Sequence, residues 1–520
     1  MGFKNKTQEV EQGHPSPEGR GNEGEVKLKN TIIKSFILIV ALTATIKINA
    51  QISLPKIIGN EMVLQRNQQV PIWGFASAGE KITINFNGQK KQTKADEKGN
   101  WKIMLDAMAA NSIPQKMLIE GNNTIELNGI LIGEVWLCSG QSNMEYSMRK
   151  NSKVTVPPGK NWPEVNEMDI AHEKNIRIFF VDRKKMNPDP KHLGWAVAED
   201  SALRSFSAAG YFFAKKLYAE LHVPIGMIEA AIPGSRIEPW MPKEAMTALP
   251  FFQDQTDKTH KIEGDPGKFY TTMIEPLAPF ALKGFLWYQG ETNCFLKETI
   301  QYTYKMEALI NQWRKIWNNN NLPFYYTAIA PFKYSVSNDT STRKDIPLNE
   351  NSLPEFWEAQ ATAMKIPNTA MIVTTDLNDK PGELHPHFKW EIGKRLAFLA
   401  LNKTYGLKQI VPSGPIYQSS KINGNKIIID FTDVDGGLQS NDGKDLSLFE
   451  IAGKDGKFVP AKAEIKNNQV IVSADEIKNP VAARFGWGET ECSNFYNKAG
   501  LPTMPFRTDN PLIKEFKINN

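Results

Sequence analysis

Residues 132–145 read IGEVWLCSGQSNME, and the fold can be inferred outward from this stretch. Its first eight residues form a nearly continuous apolar run, which is typical of a strand buried on both faces of a sheet. The run ends in a glycine-containing turn that carries Ser142. We therefore expect the Ser142 hydroxyl at the carboxyl end of a strand, where a nucleophile would be exposed. An ordinary strand-ending turn has the same local pattern, and the stretch is not the G-x-S-x-G nucleophile elbow.

Five further apolar runs follow, and they alternate with helical patterns. The runs are IRIFF (176–180), IGMIEAAI (225–232), KGFLWYQG (283–290), FYYTAIA (324–330) and AMIVTT (370–375). Helices are predicted over Ser205–Leu221, Glu298–Asn318, Leu353–Lys365 and Phe388–Leu401. Buried strands that alternate with helices predict an α/β domain with a mostly parallel sheet covered on both faces. Ligands of such sheets bind beyond the carboxyl ends of the strands.

The segments on either side of this region contain short alternating strands broken by turns. KITINFNG (81–88) places Ile82, Ile84 and Phe86 on one face and ends in Asn87-Gly88, a strong hairpin signal. NKIIIDF (425–431) and NQVIVSAD (468–475) are strand patterns of the same kind. We predict an N-terminal β domain over 51–129, the α/β domain over 130–403 and a C-terminal β domain, a sandwich, over 404–520.

The first 50 residues are predicted to be a leader and a signal peptide. Lysines precede an apolar run at 36–46, and the small residue Ala50 offers a cleavage point. A run of this length is too short to be a comfortable permanent membrane span. Residues 1–26 are polar and expected to be disordered, and we suspect that translation begins near Val26. The mature protein is therefore expected to be exported, periplasmic or extracellular, and not bound to a membrane.

Composition narrows the function classes further. The net charge of +5 over 520 residues is small, so the concentrated basic footprint of a nucleic-acid-binding protein is missing. The three cysteines, Cys138, Cys294 and Cys492, show no zinc-ligand spacing and cannot all be paired within the chain. Cys138 lies on the first predicted strand, where a buried thiol is expected. No metal and no other cofactor is expected.

Three more polar or glycine positions follow predicted strands. Gly234, in PGSRIEPWM (233–241), offers a backbone N–H to a developing oxyanion. Asn293, at the end of WYQGETN (287–293), offers a side-chain amide. His385, in ELHPHFKWEIGKRLA (383–397), precedes a helix and could act as a general base towards Ser142. Turn and capping roles explain each residue taken singly, and His385 and His387 could instead be a metal pair.

Taken together, these stretches resemble a known family. SGQSNME, QGETN and the LHP that precedes a helix are similar to the SGNH-hydrolase superfamily, and within it to the sialate O-acetylesterase family. Longer stretches of the same kind are VPIGMIEAAIPGSRIEPWM, MIEPLAPFALKGFLWYQGETN and FYNKAGLPTMPFRTD. The resemblance runs from about residue 55 to Asp509. It implies an SGNH-type, flavodoxin-like three-layer domain with a parallel sheet.

The resemblance also implies roles for the residues singled out above. Ser142 would be the nucleophile and His385 the general base, and the oxyanion hole would comprise the N–H groups of Ser142 and Gly234 and the Asn293 side chain. Many SGNH enzymes have an aspartate where this chain has Gly382. Glu383 is the candidate third member, and Asp376, Asp379 or a backbone carbonyl are the alternatives.

The function expected from these residues is a serine carboxylic-ester hydrolase that removes O-acetyl groups from a carbohydrate, with sialate 9-O-acetyl esters as the first candidate substrate. Acetylxylan or pectin acetylesterase activity is the alternative within enzymes. A noncatalytic carbohydrate-binding protein is the alternative from another class. Neither a nucleic-acid partner nor a particular oligomeric state is predicted.

Overall fold

The computed structural model describes residues 51–181, 194–254, 256–257, 260–337, 347–380 and 382–519. The predicted leader and signal peptide lie outside the described residues. Residues 51–520 form one compact unit. Within the described ranges, no helix is long and apolar enough to span a membrane.

The N-terminal part is all-β, as predicted. Its strands are β1 Val63–Gln65, β2 Val70–Phe75, β3 Lys81–Phe86, β4 Gln89–Lys94, β5 Asn100–Leu105, β6 Asn111–Glu120 and β7 Thr124–Gly140. The hairpin predicted at Asn87-Gly88 joins β3 to β4, with positive φ angles of 48° and 73° at the two turn residues. Ile82, Ile84 and Phe86 are buried, as their alternation predicts.

β7 links this part to the α/β region. Its first half pairs antiparallel with β6, and its second half pairs parallel with strands that come later in the chain. One continuous strand therefore runs through the predicted domain boundary between residues 129 and 130.

The α/β region contains the predicted parallel sheet, in the order β13-β12-β11-β7-β10-β8-β9. Only the edge strand β9 is antiparallel to its neighbour. The strands after β7 are β8 Ile176–Phe180, β9 Trp195–Val197, β10 Ile225–Ala231, β11 Gly284–Tyr288, β12 Phe324–Thr327 and β13 Thr369–Ile372. Each predicted apolar run forms one strand of this sheet, so the predicted α/β class is confirmed.

Helices cover both faces of this sheet. They are α1 Ser142–Glu145, α2 Met148–Asn151, α3 Glu167–Ile170, α4 Asp200–Ser205, α5 Ala208–Leu221, α6 Lys243–Thr247, α7 Glu291–Phe295, α8 Ile300–Ile316, α9 Ser352–Thr362, α10 Lys389–Leu399 and α11 Leu512–Glu515. The helix predicted from Ser205 begins instead at Ala208, because Ser207 caps it by accepting a hydrogen bond from the Gly210 N–H.

Alternate residues of β7 enter two different apolar clusters, as the two-residue period of a strand requires. Val135 and Leu137 pack on the face covered by α8 and α9. Trp136 and Cys138 pack on the face covered by α5 and α10. Both faces of the strand are therefore buried, and the expectation of a buried Cys138 thiol is confirmed.

The C-terminal part is again all-β, as predicted. Its strands are β14 Ile416–Asn423, β15 Lys426–Thr432, β16 Leu438–Ser440, β17 Phe449–Ala452, β18 Phe458–Pro460, β19 Lys462–Lys466, β20 Gln469–Ser473, β21 Ala482–Phe485, β22 Phe495–Asn497 and β23 Phe506–Arg507. They form two four-stranded antiparallel sheets, β14-β15-β20-β19 and β18-β17-β21-β23, and the pair β16-β22. The two larger sheets share one apolar cluster, to which Ile429 and Phe485 contribute from opposite sheets.

Candidate active site

The predicted site residues follow strands that end at one edge of the parallel sheet. In the strand register, Gly140 of β7 lies beside Ala231 of β10 and beside Tyr288 of β11. Ser142, Gly234 and Asn293 follow these three strand ends within a few residues, and His385 follows the edge strand β13. The sheet therefore collects the residues on the loops beyond its carboxyl edge, where ligands of open α/β sheets bind.

A tight turn presents Ser142. Gly140 has φ 138°, and a Cβ at this position would collide with the carbonyl group of Tyr288, so the chain requires glycine here. The Gln141 N–H donates to the Tyr288 carbonyl at 3.0 Å. Ser142 is the first residue of α1, so its N–H has no acceptor inside the helix.

Ser142 and His385 are in direct contact. The distance between His385 Nε2 and Ser142 Oγ is 2.9 Å, although the two residues are 243 positions apart in the sequence. Both side chains are partly exposed. Burial lowers the pKa of His385, and the positive charge of nearby Lys389 lowers it further. The imidazole is therefore neutral at neutral pH, as a general base must be.

Glu383 is the carboxylate that contacts His385, with Oε1 at 3.4 Å from Nδ1. This distance is long for a hydrogen bond, and the Glu383 side chain is 42% exposed, so solvent also reaches the carboxylate. The two alternative acids are engaged elsewhere. Asp376 forms a bidentate ion pair with Arg395, and Asp379 contacts His387 Nδ1 at 2.9 Å.

Gly234 lies on the loop after β10, with open space around its Cα. It is exposed, has φ 68°, and would have no atom within 4 Å of an added Cβ. Its carbonyl accepts a hydrogen bond from the Thr292 hydroxyl at 3.3 Å. Thr292, which sequence reasoning passed over, therefore ties the Gly234 loop to the QGETN stretch.

Asn293 is fully buried and its amide is bonded on both sides. Its Oδ1 accepts from the Ile237 N–H at 3.1 Å and from Gln289 Nε2 at 2.7 Å. Its Nδ2 donates to Glu298 at 3.0 Å and, more weakly, to Glu238 at 3.4 Å. To donate to an oxyanion, the amide would have to turn one hydrogen away from a carboxylate, so its role stays a prediction.

The two carboxylates beside Asn293 share a buried lysine. Lys305 Nζ donates to Glu238 at 2.8 Å and to Glu298 at 2.7 Å, and all three side chains are almost completely buried. Burial alone would lower the pKa of Lys305, but the two carboxylates outweigh it and raise that pKa. We call Asn293, Glu238, Glu298 and Lys305 the Lys305 cluster.

A second buried group lies behind Ser142 and His385. Asn143 Nδ2 donates to Glu291 at 2.5 Å and to the Leu384 carbonyl at 3.1 Å, and its Oδ1 accepts from Lys389 Nζ at 2.6 Å. We call Glu291, Asn143 and Lys389 the Lys389 chain. It joins the turn of Ser142 to the loop of His385 by hydrogen bonds, because Asn143 follows Ser142 and Leu384 immediately precedes His385.

The charges of the Lys389 chain are weakly compensated. Lys389 is fully buried, and burial lowers its pKa to about 7. Its ammonium lies 4.9 Å and 5.1 Å from the ring centroids of Tyr146 and Tyr288. Burial raises the pKa of Glu291, the acid at the other end of the chain. The sequence analysis missed this group. The usable signal was that Asn143, Glu291 and Lys389 are polar residues next to the apolar stretches that form the core.

Comparison with known proteins points to one family. Residues 132–402 match the model of a family described as carbohydrate esterase, sialic acid-specific acetylesterase. The sialate O-acetylesterase of Homo sapiens is 27% identical over 487 residues, which cover 86% of this chain and 91% of the human protein. The enzyme of the same name from Mus musculus is 25% identical over 512 residues, with 86% of this chain and 93% of the mouse protein covered.

A solved structure is similar over nearly the same extent. It is the crystal structure of a carbohydrate acetylesterase from Xanthomonas citri, which is 33% identical to this chain and superposes with a TM-score of 0.75. The match covers 88% of this chain and 100% of the Xanthomonas chain. The N-terminal β part, the α/β region and the C-terminal β part therefore occur together in a relative.

Proposed function

The chain belongs to the sialic acid-specific acetylesterase family of carbohydrate esterases, and on this premise we propose that it hydrolyses 9-O-acetyl esters of sialic acid through an acetyl–serine intermediate. It is a carbohydrate O-acetylesterase of the SGNH type. The 2.9 Å contact between Ser142 Oγ and His385 Nε2 carries the proposed mechanism. The choice of sialic acid is supported by the names of the curated relatives.

In the first half of the reaction, Ser142 Oγ attacks the acetyl carbonyl carbon while its proton passes to His385 Nε2. A serine hydroxyl needs such a base, because it is a weak nucleophile when protonated. The tetrahedral intermediate collapses when the bond to the sugar oxygen breaks. His385 then returns the proton to that oxygen, and the deacetylated sugar leaves.

In the second half, water attacks the acetyl–serine carbonyl and His385 takes the proton of the water. The Ser142–carbonyl bond breaks, Ser142 regains a proton from His385, and acetate leaves. A neutral imidazole is needed at the start of both halves, which the lowered pKa of His385 provides.

The negative oxygen formed in each half requires fixed donors, each worth about 3–4 kcal/mol of barrier. We assign this role to the backbone N–H groups of Ser142 and Gly234 and to the Asn293 amide. Among the described residues, neither of the two N–H groups has another acceptor. The Asn293 amide is already bonded to Glu298 and Glu238, so its contribution depends on a small rotation away from one of them.

We assign the orientation of His385 to Glu383. An acceptor at Nδ1 fixes the tautomer that leaves Nε2 free to take the serine proton. The contact of 3.4 Å and the partial exposure of Glu383 make this a weaker orienting partner than a buried aspartate.

The substrate is tested by acetate release from 9-O-acetyl sialic acid, acetylated xylan and acetylated pectin, measured side by side. The proposal requires the highest kcat/KM on the sialic acid ester. A clear preference for xylan or pectin would show instead that the protein is a plant-polysaccharide acetylesterase. If the protein hydrolysed none of these three substrates and did not hydrolyse p-nitrophenyl acetate either, a noncatalytic carbohydrate-binding protein would be favoured.

The nucleophile is tested by Ser142→Ala, with Ser139→Ala as the matched control. Ser139 lies three residues earlier on β7, and its buried hydroxyl has no partner among the described residues. Ser142→Ala should lower kcat/KM on p-nitrophenyl acetate by ~10⁴-fold or more with the fold intact. A variant that retains a tenth of the activity would remove Ser142 from the mechanism, whereas Ser139→Ala should remain active.

We also propose that the protein is exported by the segment at 27–50 and acts in the periplasm or outside the cell, unattached to a membrane once processed. The sequence pattern of that segment supports this proposal. N-terminal sequencing of the secreted protein tests it. A mature chain that still carries residues 10–25 would contradict both the cleavage and the suspected start near Val26.

A further inference from the structure

A cavity of about 280 Å³ lies beside the proposed catalytic pair. Its lining includes Tyr146, Lys150, Lys153, Asp379, Lys380 and His387. Tyr146 directly follows α1, the helix that begins at Ser142, and His387 is two residues after His385. The cavity therefore adjoins the segments that carry Ser142 and His385.

The lining residues and the proposed catalytic pair influence one another electrostatically. Burial, followed by the negative charges of Glu383 and Asp379, raises the pKa of Tyr146 to about 12. The positive charge of Lys150 contributes to the lowered pKa of His385. Groups of the cavity and groups of the catalytic pair therefore act on one another directly.

One of the lysines in the lining is already paired: Lys150 donates to Glu145 at 3.1 Å. Asp379, which contacts His387 Nδ1 at 2.9 Å, adds one negative charge to the lining. Lys153 and Lys380 differ from Lys150: within the ranges that the structure describes, neither has a carboxylate at ion-pairing distance, and both are exposed. With two such lysines against the single carboxylate of Asp379, the lining has an excess of positive charge.

We propose that this cavity binds the carboxylate of an acidic sugar while the acetyl ester of the same sugar lies at Ser142. This inference rests on the proposed function and specifies how the sugar is recognised. In 9-O-acetyl sialic acid the C1 carboxylate and the acetylated C9 oxygen stand at opposite ends of the molecule, as two adjoining sites require. Lysine ammonium groups are compact point charges that suit a carboxylate.

The same chemistry separates the candidate substrates. The galacturonate units of pectin also carry a carboxylate, whereas the xylose backbone of xylan carries none. The cavity therefore favours acidic over neutral sugars. Its charges also attract an anionic substrate before contact, so the effect should weaken as ionic strength rises.

The experiment compares each acetylated sugar with its carboxyl methyl ester, which keeps the shape and removes the charge. We would measure kcat/KM for 9-O-acetyl-N-acetylneuraminic acid and for its C1 methyl ester, in the wild type and in Lys153→Gln/Lys380→Gln. The wild type should prefer the free acid. The ratio of the two kcat/KM values should fall about three- to tenfold in the double variant, as expected for two partly exposed ion pairs.

The matched control is Lys421→Gln/Lys426→Gln, which removes two exposed charges from β14 and β15. It alters the net charge by the same amount and should keep the wild-type ratio. An unchanged ratio in Lys153→Gln/Lys380→Gln, or an equal fall in the control, would overturn the carboxylate site.

Failure of the proposed function would look different. In that case the wild type would release little acetate from either form of the sialic acid while remaining active on acetylated galacturonate or xylo-oligosaccharides. The comparison of acid with methyl ester would then be made on O-acetylated galacturonate. If the wild type showed no preference for the free acid there either, the carboxylate site would fall as well.

Discussion

Two buried lysines lie near the carboxyl edge of the parallel sheet, close to the proposed site residues, and their surroundings differ. Lys305, behind the loops of Gly234 and Asn293, has its ammonium between two carboxylates. Lys389, behind His385, has the side-chain carbonyl of Asn143 and two tyrosine rings as its neighbours. The nearest acid of its own group, Glu291, is reached only through Asn143.

The comparison shows how partners decide the state of a buried charge. Burial disfavours the charged form of both lysines. At Lys305 the carboxylates outweigh burial and raise the pKa, whereas at Lys389 burial dominates and the pKa falls to about 7. Lys305 is therefore a permanent countercharge within the core. Lys389 titrates near neutral pH, and its positive charge lowers the pKa of His385.

The largest effect is expected from Lys305→Met. This change leaves Glu238 and Glu298 buried with Arg236, at 3.4 Å and 3.9 Å, as their remaining cation. Breaking a buried pair costs about 3–5 kcal/mol, and the partial compensation by Arg236 places the expected loss near the lower end, about 3 kcal/mol. The free energy of unfolding, measured by urea denaturation, should fall by that amount, or the variant should fail to fold. A loss below about 1 kcal/mol would show that the carboxylates are neutral or hydrated.

A triple variant provides the control for Lys305→Met. Lys305→Met/Glu238→Gln/Glu298→Gln removes the lysine and both carboxylates, and replacing buried ionic partners together by neutral side chains is often nearly neutral for stability. Arg236, the other cation beside these carboxylates, keeps its charge, but its side chain is 23% exposed and reaches solvent. The triple variant should recover most of the stability that Lys305→Met loses. If the triple variant is no more stable than the single one, packing and not charge explains the loss.

Asn293→Ala tests the link between the Lys305 cluster and catalysis. Loss of an oxyanion donor should lower kcat by roughly 10²–10³-fold with a smaller change in KM. Loss of the hydrogen bonds to Glu298 and Glu238 should also reduce the free energy of unfolding by about 1–3 kcal/mol.

The two consequences of Asn293→Ala are separated by measuring both kinetics and stability. If stability falls but kcat stays within threefold of the wild type, Asn293 only completes the buried cluster. The backbone N–H groups of Ser142 and Gly234 would then account for the oxyanion hole.

Glu383→Gln should have a smaller effect, on the other side of Ser142. The contact with His385 is long and the carboxylate is partly exposed, so a loss of kcat/KM of about tenfold is expected instead of the ~10⁴-fold of a buried triad acid. Asp379→Asn, assayed on the uncharged ester p-nitrophenyl acetate, is the matched control, because Asp379 contacts His387 and not His385. If neither change costs even threefold, His385 is held by backbone alone.

The strands, and the sheet edge at which their loops meet, follow from local patterns. Apolar runs report burial on both faces, and loops after parallel strands meet at one edge, so Ser142 and His385 are brought together across 243 positions. The start of the helix at Ala208 was missed because the Ser207 cap competes with the apolar period that begins earlier.

The two lysine groups could not be predicted in the same way. Lys305 and Lys389 occupy helices where a lysine is ordinarily solvent-exposed, and their partners lie up to 246 positions away. No periodicity reports such pairings, because they depend on which loops the sheet brings together. Asn293 shows the same limit: the sequence offers its amide as an oxyanion donor, which stays a prediction, but gives no sign that Glu298 and Glu238 accept from that amide in the interior.

The smallest effect, a shift in pH dependence, is expected from Lys389→Met. Methionine fills a lysine-shaped space without charge. His385 must be neutral to accept the serine proton, so kcat/KM falls as pH drops through the pKa of His385. Because Lys389 lowers that pKa, its removal should move the acid limb to higher pH. Burial, the larger cause, remains, so the shift is partial.

Lys394→Met is the control for that shift, since Lys394 lies on the same helix α10 and is 47% exposed. It removes the same charge far from the buried chain and should leave the acid limb in place. An acid limb that stays fixed or moves to lower pH in Lys389→Met would show that the Lys389 charge does not reach His385.

Stability against pH then distinguishes the two lysines directly. Between the lowered pKa of about 7 and the ordinary value of 10.5, unfolded Lys389 holds a proton that the folded state has released. The unfolded state therefore binds more protons, and the free energy of unfolding contributed by Lys389 rises with pH in that window.

The measurement is the free energy of unfolding of the wild type minus that of Lys389→Met, in which the titrating groups that the two proteins share largely cancel. This difference should grow from pH 7 to pH 10. Lys305, whose folded pKa is raised, keeps its proton throughout that window and loses its contribution only above 10.5, so its own titration adds no slope there. A flat difference for Lys389 would mean that it keeps its proton when buried, and the two lysines would then be equivalent.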